Sequence, residues 1–297
     1  MMQDYMVRAS ANDDTIRAFA VTSKVLTEDA RVRHNLSPIC TAALGRAMSA
    51  ALMMGYMMKN DKDLLTLVFS GDGPMGGLTV TSNNKGEVKG FVNNPDVYLK
   101  DKFAGHLNVG EAMGHGTLRV MKDTGLKTPY SGTVALQTGE IADDLTYYFA
   151  ASEQVPSAVG LGVLINKDMF VDYAGGFIIQ VMPEADEDTV TKIEKNIKSL
   201  PPVTTQLASG CSPEDIIRNV LAGLRVEIHD SRLCSFHCDC SKEKVKNAIM
   251  MLNVSDIDEM TKGGEPIETV CQFCGKKYVF SAEEIRQSLY QKVGNGE

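Results

Sequence analysis

Polar and apolar residues alternate over Thr15–Thr22 (TIRAFAVT), the pattern of a strand with one face turned to a core. The period then changes. Ser37-Pro38 has the form of a helix start, with Ser as cap and Pro at the first helical position. The run that follows, through Ala42, Leu44, Met48, Leu52 and Met53 towards Met58, is apolar almost all round, so a central buried helix is expected. Alternation returns in Leu64–Ser70, Gly77–Thr81 and Glu87–Asn93. Gly71-Asp72-Gly73-Pro74 and Ser82–Gly86 punctuate these runs, which together read as an antiparallel meander. Thr117–Met121, Gly132–Gln137 and Gly176–Met182 are further strand candidates, with a helix candidate at Gly139–Glu153. The fold class expected is α+β, with an antiparallel sheet in a mixed N-terminal core over residues 1–183.

From Glu184 the texture becomes charged. EADEDTVTKIEKNIKSL has a helical pattern that Pro201-Pro202 stops, and a polar stretch follows over Val203–Gly210. Ser212-Pro213-Glu214-Asp215 then starts a second short helix, Ile216–Leu224. Residues 184–231 read as a weakly packed helical linker; two ordinary surface helices of the core domain are the competing reading. A third segment, 232–297, has a helix pattern at Ser241–Leu252 and a capping box, Ser281-Ala282-Glu283-Glu284, that opens a last helix to about Gln291.

Cysteine usage changes the picture most. Seven cysteines, an odd number, sit in a chain whose start shows no apolar export segment, which points to metal or redox work in a reducing compartment, the cytoplasm. Cys238-Asp239-Cys240 and Cys271-Gln272-Phe273-Cys274 stand about thirty residues apart and match the spacing of a four-thiolate zinc site. Zinc fits better than an iron–sulfur cluster, because CxC is a poor match to ferredoxin spacings. The module between the pairs is too small for a self-sufficient core, so metal would supply much of its folding energy. Four sulfurs leave no position for a water nucleophile, which argues against zinc hydrolysis. In the CxC pair, oxidation of one sulfur brings a near thiol into range for a disulfide and removes donors from the metal. The pattern is that of a redox switch.

The remaining candidates are weaker. His237 beside Cys238 is expected as a surface or supporting residue, Cys234 as a spectator thiol, and Cys40 as a small core hydrophobe; nothing marks Cys211 as reactive. Gly71–Pro74 lacks the Lys-Ser/Thr of a P-loop and is expected to be a tight hairpin turn. Neither HExxH nor GxSxG is present, so no catalytic residues are assigned and no enzyme activity is expected. A net charge of −8 disfavours nucleic acid, and no window is apolar enough for a membrane span. The 16 methionines include Met53–Met58, expected as buried filling rather than as an adaptable binding surface.

Leu36-Ser37-Pro38, Thr41–Arg46 (TAALGR), Phe69–Pro74 (FSGDGP), Gly90–Pro95 (GFVNNP), Cys238-Asp239-Cys240 and Cys271–Gly275 (CQFCG) together resemble the bacterial redox-regulated heat-shock chaperones, the 33 kDa chaperonin family. The resemblance implies an ATP-independent holdase, inactive while Cys238, Cys240, Cys271 and Cys274 hold one zinc per chain. Oxidation would convert them to two disulfides, Cys238–Cys240 and Cys271–Cys274, release the metal and unfold the zinc module and linker. Apolar surface so exposed would bind unfolding client proteins, and the oxidised form would be a homodimer. Cys211 and Cys234 are a departure from the family's pattern. Two other classes compete: a zinc-ribbon module for nucleic acid or a protein partner, and a thiol–disulfide enzyme using Cys271 and Cys274.

Overall fold

The computed structural model describes residues 3–103 and 105–294. The chain divides into two compact units, Met1–His237 and Cys238–Glu297. The first begins with β1 (Tyr5–Ala11), β2 (Ile16–Thr22), α1 (Lys24–His34), α2 (Pro38–Tyr56), β3 (Leu64–Gly71), β4 (Leu78–Asn83) and β5 (Glu87–Val92). It continues with α3 (Val109–Met113), β6 (Gly116–Asp123), β7 (Tyr130–Ala135), α4 (Ala142–Tyr148), β8 (Ser157–Ile165) and β9 (Val171–Val181). It ends with α5 (Glu187–Ser199), α6 (Val203–Ala208), α7 (Pro213–Val220), β10 (Val226–Leu233) and β11 (Ser235–Phe236).

Two sheets organise this unit, with strand orders β10-β1-β2-β9-β8 and β11-β5-β4-β3-β6-β7. The expected meander is β3-β4-β5, antiparallel throughout. The helix read at Ser37-Pro38 is α2, with the Ser37 side chain accepting from the Cys40 amide. It is apolar all round because it lies between the sheets. Leu44, Met48, Leu52 and Met53 share one core with Phe19 and Val21 of the first sheet and Leu65, Leu67 and Phe69 of the second. Met53 and Met54 are buried filling, as expected. Helix α4 starts inside the helix candidate at 139–153 and passes into a π-helical turn, Phe149–Glu153.

The outer face of the first sheet carries a second core. Val7, Ala9, Ile16, Ala18, Ala20 and Ile179 meet Ile193 of α5, Val203 and Leu207 of α6, and Ile216, Ile217 and Val220 of α7. The segment 184–231 therefore lies on the sheet as a helical layer, and its end, β10, pairs antiparallel with β1. The stretch at 203–210, read from the sequence only as polar, contains α6. Val203 and Leu207 fall one helical turn apart and bury a single stripe, enough to fix an otherwise polar helix.

The connection at Gly71–Pro74 does join antiparallel neighbours, but across 72–77, longer than a tight turn. Gly73 N–H donates to Met113 O (3.0 Å), and the Asp72 carboxylate accepts from His115 N (2.7 Å). A Cβ on Gly73 would stand 2.5 Å from Ala112 O, so only glycine permits this stitching.

The second unit contains α8 (Lys242–Ile249), α9 (Val254–Thr261), β12 (Ile267–Val270), β13 (Lys277–Phe280) and α10 (Ala282–Gly294). Ser241 caps α8 through the Lys244 amide, and Ser281 accepts from Glu284 N at the start of α10. Its buried apolar set is Ile249, Met250, Ile257, Ile267, Tyr278, Phe280, Ile285 and Leu289.

Candidate metal centre

Strands β12 and β13 form an antiparallel hairpin in register from Ile267↔Phe280 to Val270↔Lys277. Its turn holds Cys271 and Cys274. Cys271 O accepts from Gly275 N (2.8 Å) and Cys274 N (3.3 Å), and Cys271 N donates to Lys276 O (2.9 Å). Gly275 lies at φ +73°, the left-handed conformation that lets the chain fold back and turn both sulfurs to one side. Cys238 and Cys240 come from the irregular segment that ends at Ser241, so the α8 cap fixes where that segment stops.

These two half-sites meet. The four sulfurs lie within 4.8 Å of one another, the one grouping of its kind among the described residues. Cys238 Sγ is 3.8 Å from Cys271 Sγ, and Cys240 Sγ is 3.4 Å from Cys274 Sγ. A tetrahedral ion with zinc–sulfur bonds of about 2.3 Å requires sulfur–sulfur edges of about 3.8 Å. The donor set and its spacing therefore fit zinc. All four side chains are half-buried, screened from water without being sealed from a small oxidant.

The thiols differ electrostatically. Burial pushes Cys238 up to about 12 and raises Cys274 as well. At Cys240 burial acts in the same direction, but hydrogen bonds from the Tyr278 hydroxyl and the surrounding thiols prevail and bring it down to about 7. Tyr278 Oη donates to Cys240 Sγ at 3.0 Å. This tyrosine, buried in β13, is a site residue that sequence reasoning missed. Its signal, an aromatic four residues after Cys274, is visible only once the hairpin returns it to a cysteine 38 positions away. Lys244 forms an ion pair with Asp239, between the first two cysteines.

The other candidates stay outside. His237 is not in the sulfur cluster; its N–H donates to Val88 O (2.9 Å) in the first unit. Cys234 packs against the main core, and burial with the nearby Asp4 carboxylate raises its thiol far above the ordinary range. Cys40 is fully buried in α2 and donates to Asn94 O (3.4 Å). Cys211 is half-buried in the loop before α7.

Comparison with known proteins agrees with this architecture. The Hsp33 protein family model matches residues 4–281, a span that includes all four clustered cysteines. The chain belongs to the Hsp33 family. It is 54% identical to the 33 kDa chaperonin of Agathobacter rectalis over 286 residues, 96% of this chain and 99% of that protein. It is 47% identical to the 33 kDa chaperonin of Clostridioides difficile over 289 residues, 97% and 99% of the two chains. The crystal structure of the Thermotoga maritima 33 kDa chaperonin, a heat shock protein 33 homolog, superposes with a TM-score of 0.91 at 37% identity. The match covers 99% of this chain and all of that one. Membership in Hsp33 makes the chain a member of a chaperone family with a mixed α+β fold and a C-terminal cysteine cluster. No described helix is long and apolar enough to cross a membrane.

Proposed function

We propose that this chain is an ATP-independent holdase switched on by oxidation of Cys238, Cys240, Cys271 and Cys274. The observation that carries the reading is the convergence of four sulfurs at zinc-like spacing in a unit whose apolar core, among the described residues, is a cluster of eight side chains. In the reduced state these residues hold one zinc per chain. Zinc so bound supplies folding energy, and four sulfur ligands leave no open position for hydrolytic chemistry.

The switch is chemistry of the sulfurs. A thiolate attacks peroxide and becomes a sulfenic acid, releasing one water; a neighbouring thiol displaces the hydroxyl, forming the S–S bond and a second water. Each disulfide thus takes two electrons from sulfur to peroxide and withdraws two donors from the metal. The family resemblance pairs Cys238 with Cys240 and Cys271 with Cys274. A disulfide sulfur is not a thiolate ligand, so the second unit loses what compensates its small core. Release of the helical layer at 184–231 would then bare the apolar face of Val7, Ala9, Ile16, Ala18 and Ile179, to which unfolding clients bind. The oxidised chain works in the cytoplasm as a homodimer, without nucleotide, nucleic acid or membrane.

The test is direct. Reduced protein should contain about one zinc per chain and leave a guanidinium-unfolded enzyme to aggregate on dilution. Peroxide with mild heat should release the metal and suppress aggregation. Equal aggregation in both redox states would end the reading.

A further inference from the structure

The six-stranded sheet ends on one side in β11, a strand of two residues and the one parallel partner in the sheet. Ser235 pairs with Glu87 and Phe236 with Val88, so β11 pairs with a third of the six-residue β5, whose other edge is paired with β4 from Ser82↔Val88 to Leu78↔Val92. The backbone bonds at its two ends run from Ser235 N–H to Gly86 O (3.0 Å) and from His237 N–H to Val88 O (2.9 Å). The Phe236 ring is half-buried beneath the Arg33 guanidinium (5.2 Å from the ring centre), with His34 edge-on at 6.4 Å. Short parallel pairings are among the weaker sheet contacts. Residue 238, the next position along the chain, is the first cysteine of the metal centre.

An extended piece of polypeptide therefore already sits on the β5 edge, and it is the piece tied directly to the switch. We infer that Ser235–His237 is an intrachain plug and that the outer edge of β5, with Arg33 and His34 of α1, is a docking site for an extended, aromatic-bearing segment of an unfolding protein. The inference rests on the holdase reading and specifies its partner and gating. An unfolded chain offers what the plug offers, a free extended backbone whose alternate N–H groups reach the Gly86 and Val88 carbonyls, with a ring placed under Arg33. A native protein satisfies those N–H groups internally, so the edge selects non-native chains. The edges at β7, β8 and β10 lack this gating, since among the described residues no strand adjoining the metal centre pairs with their outer sides.

Two measurements on the full-length protein test this. A photo-crosslinking phenylalanine replaces Phe91 in β5 or, as a control, Thr133 in β7. Each protein is irradiated with guanidinium-unfolded carbonic anhydrase after dilution. Client crosslinks from position 91 should rise at least tenfold on oxidation, and those from 133 should not. Separately, Ser235→Pro/Phe236→Ala, which deletes one N–H donor and the ring, should bind client while reduced and still hold one zinc per chain. Phe236→Ala alone covers the case in which the double variant fails to fold. Crosslinks from 91 between two copies of the chain, or oxidised protein that holds client without crosslinking from 91, overturn the plug while leaving the holdase reading intact. Oxidised protein that holds no client at all removes that reading instead.

Discussion

The two units are stabilised by different means. In Met1–His237, α2 is buried between two sheets, and α5–α7 cover a second apolar face, so contacts far apart in sequence reinforce one another. Among the described residues, Cys238–Glu297 has one core cluster of eight buried apolar side chains and two short strands. A core of that size supplies at most a few kcal/mol, about 3–5 by analogy with other small domains. On the function proposed above, one unit stands on burial and the other on ligation. A reagent that reacts with thiolates can therefore dismantle the second while the α2 core of the first stays in place.

Removing the metal is the sharpest way to test that contrast. Chelation under reducing conditions, or Cys271→Ser/Cys274→Ser, should cost the second unit about 10 kcal/mol, more than its core can offset. Amide exchange should then show loss of protection in β12, β13, α8 and α9 while α2 and β3 stay protected. Persistent protection of β12 and β13 without metal would mean that the units do not differ in kind.

The reverse perturbation should be smaller and confined to the other side. Leu52 is fully buried in the C-terminal half of α2. Leu52→Ala leaves a cavity and should destabilise the first unit by about 3 kcal/mol, seen as a lower denaturation midpoint with metal content unchanged. Loss of zinc in parallel would show the units to be coupled in stability.

The ease of reading the sequence follows the same divide. The convergence of the cysteine pairs was legible because a four-thiolate pattern fixes residue type and spacing together, and α2 because a Ser-Pro cap precedes a largely apolar run. Elsewhere the signal was diluted by tertiary context. Gly160 and Gly162 interrupt the alternation of β8; a Cβ on Gly160 would strike the Phe177 ring at 2.3 Å, so the glycines serve packing. In β10 the half-buried positions are Val226, Ile228, Asp230 and Arg232. The last two look like surface residues until Asp230 is seen to pair with Arg8 of β1 and Arg232 to lie over the Tyr56 ring. Tyr278 was hidden for a similar reason, since its partner is near only through the hairpin.

A third measurement probes a charge inside the first unit. Asp4 is 5% exposed, and its carboxylate accepts from Leu26 N (2.8 Å) at the start of α1. Burial raises it from 3.8 to about 6, against the opposing pull of the α1 amides. The folded state thus binds this proton more tightly than the unfolded state. Its contribution to stability is fully present below about pH 4 and is lost as pH rises through 6. A shift of about two units corresponds to about 3 kcal/mol. Asp4→Asn keeps an acceptor for the helix, so it should flatten the pH 4–6 slope and raise stability at pH 7 by up to that amount, less whatever the charge gave the α1 amides. A variant that is less stable at pH 7 would show that the charged cap outweighs its burial.

The smallest effect expected lies within the metal centre and asks how finely ligation is tuned. Tyr278 has two roles: its ring is part of the second unit's core, and its hydroxyl donates to Cys240 Sγ. Tyr278→Phe separates them, since the ring stays and only the donor is lost. Partners of metal ligands typically change affinity by about 10–100-fold when removed, and a single bond to one of four sulfurs should fall at the low end, about 10-fold or 1.4 kcal/mol. Chelator competition on reduced protein would measure this, while the melting of the zinc-loaded variant should barely move because the core is unchanged. If zinc affinity fell no more than the melting point predicts, Tyr278 would act through packing alone, and the second unit would owe its order to its eight core side chains more than the sulfur geometry implies.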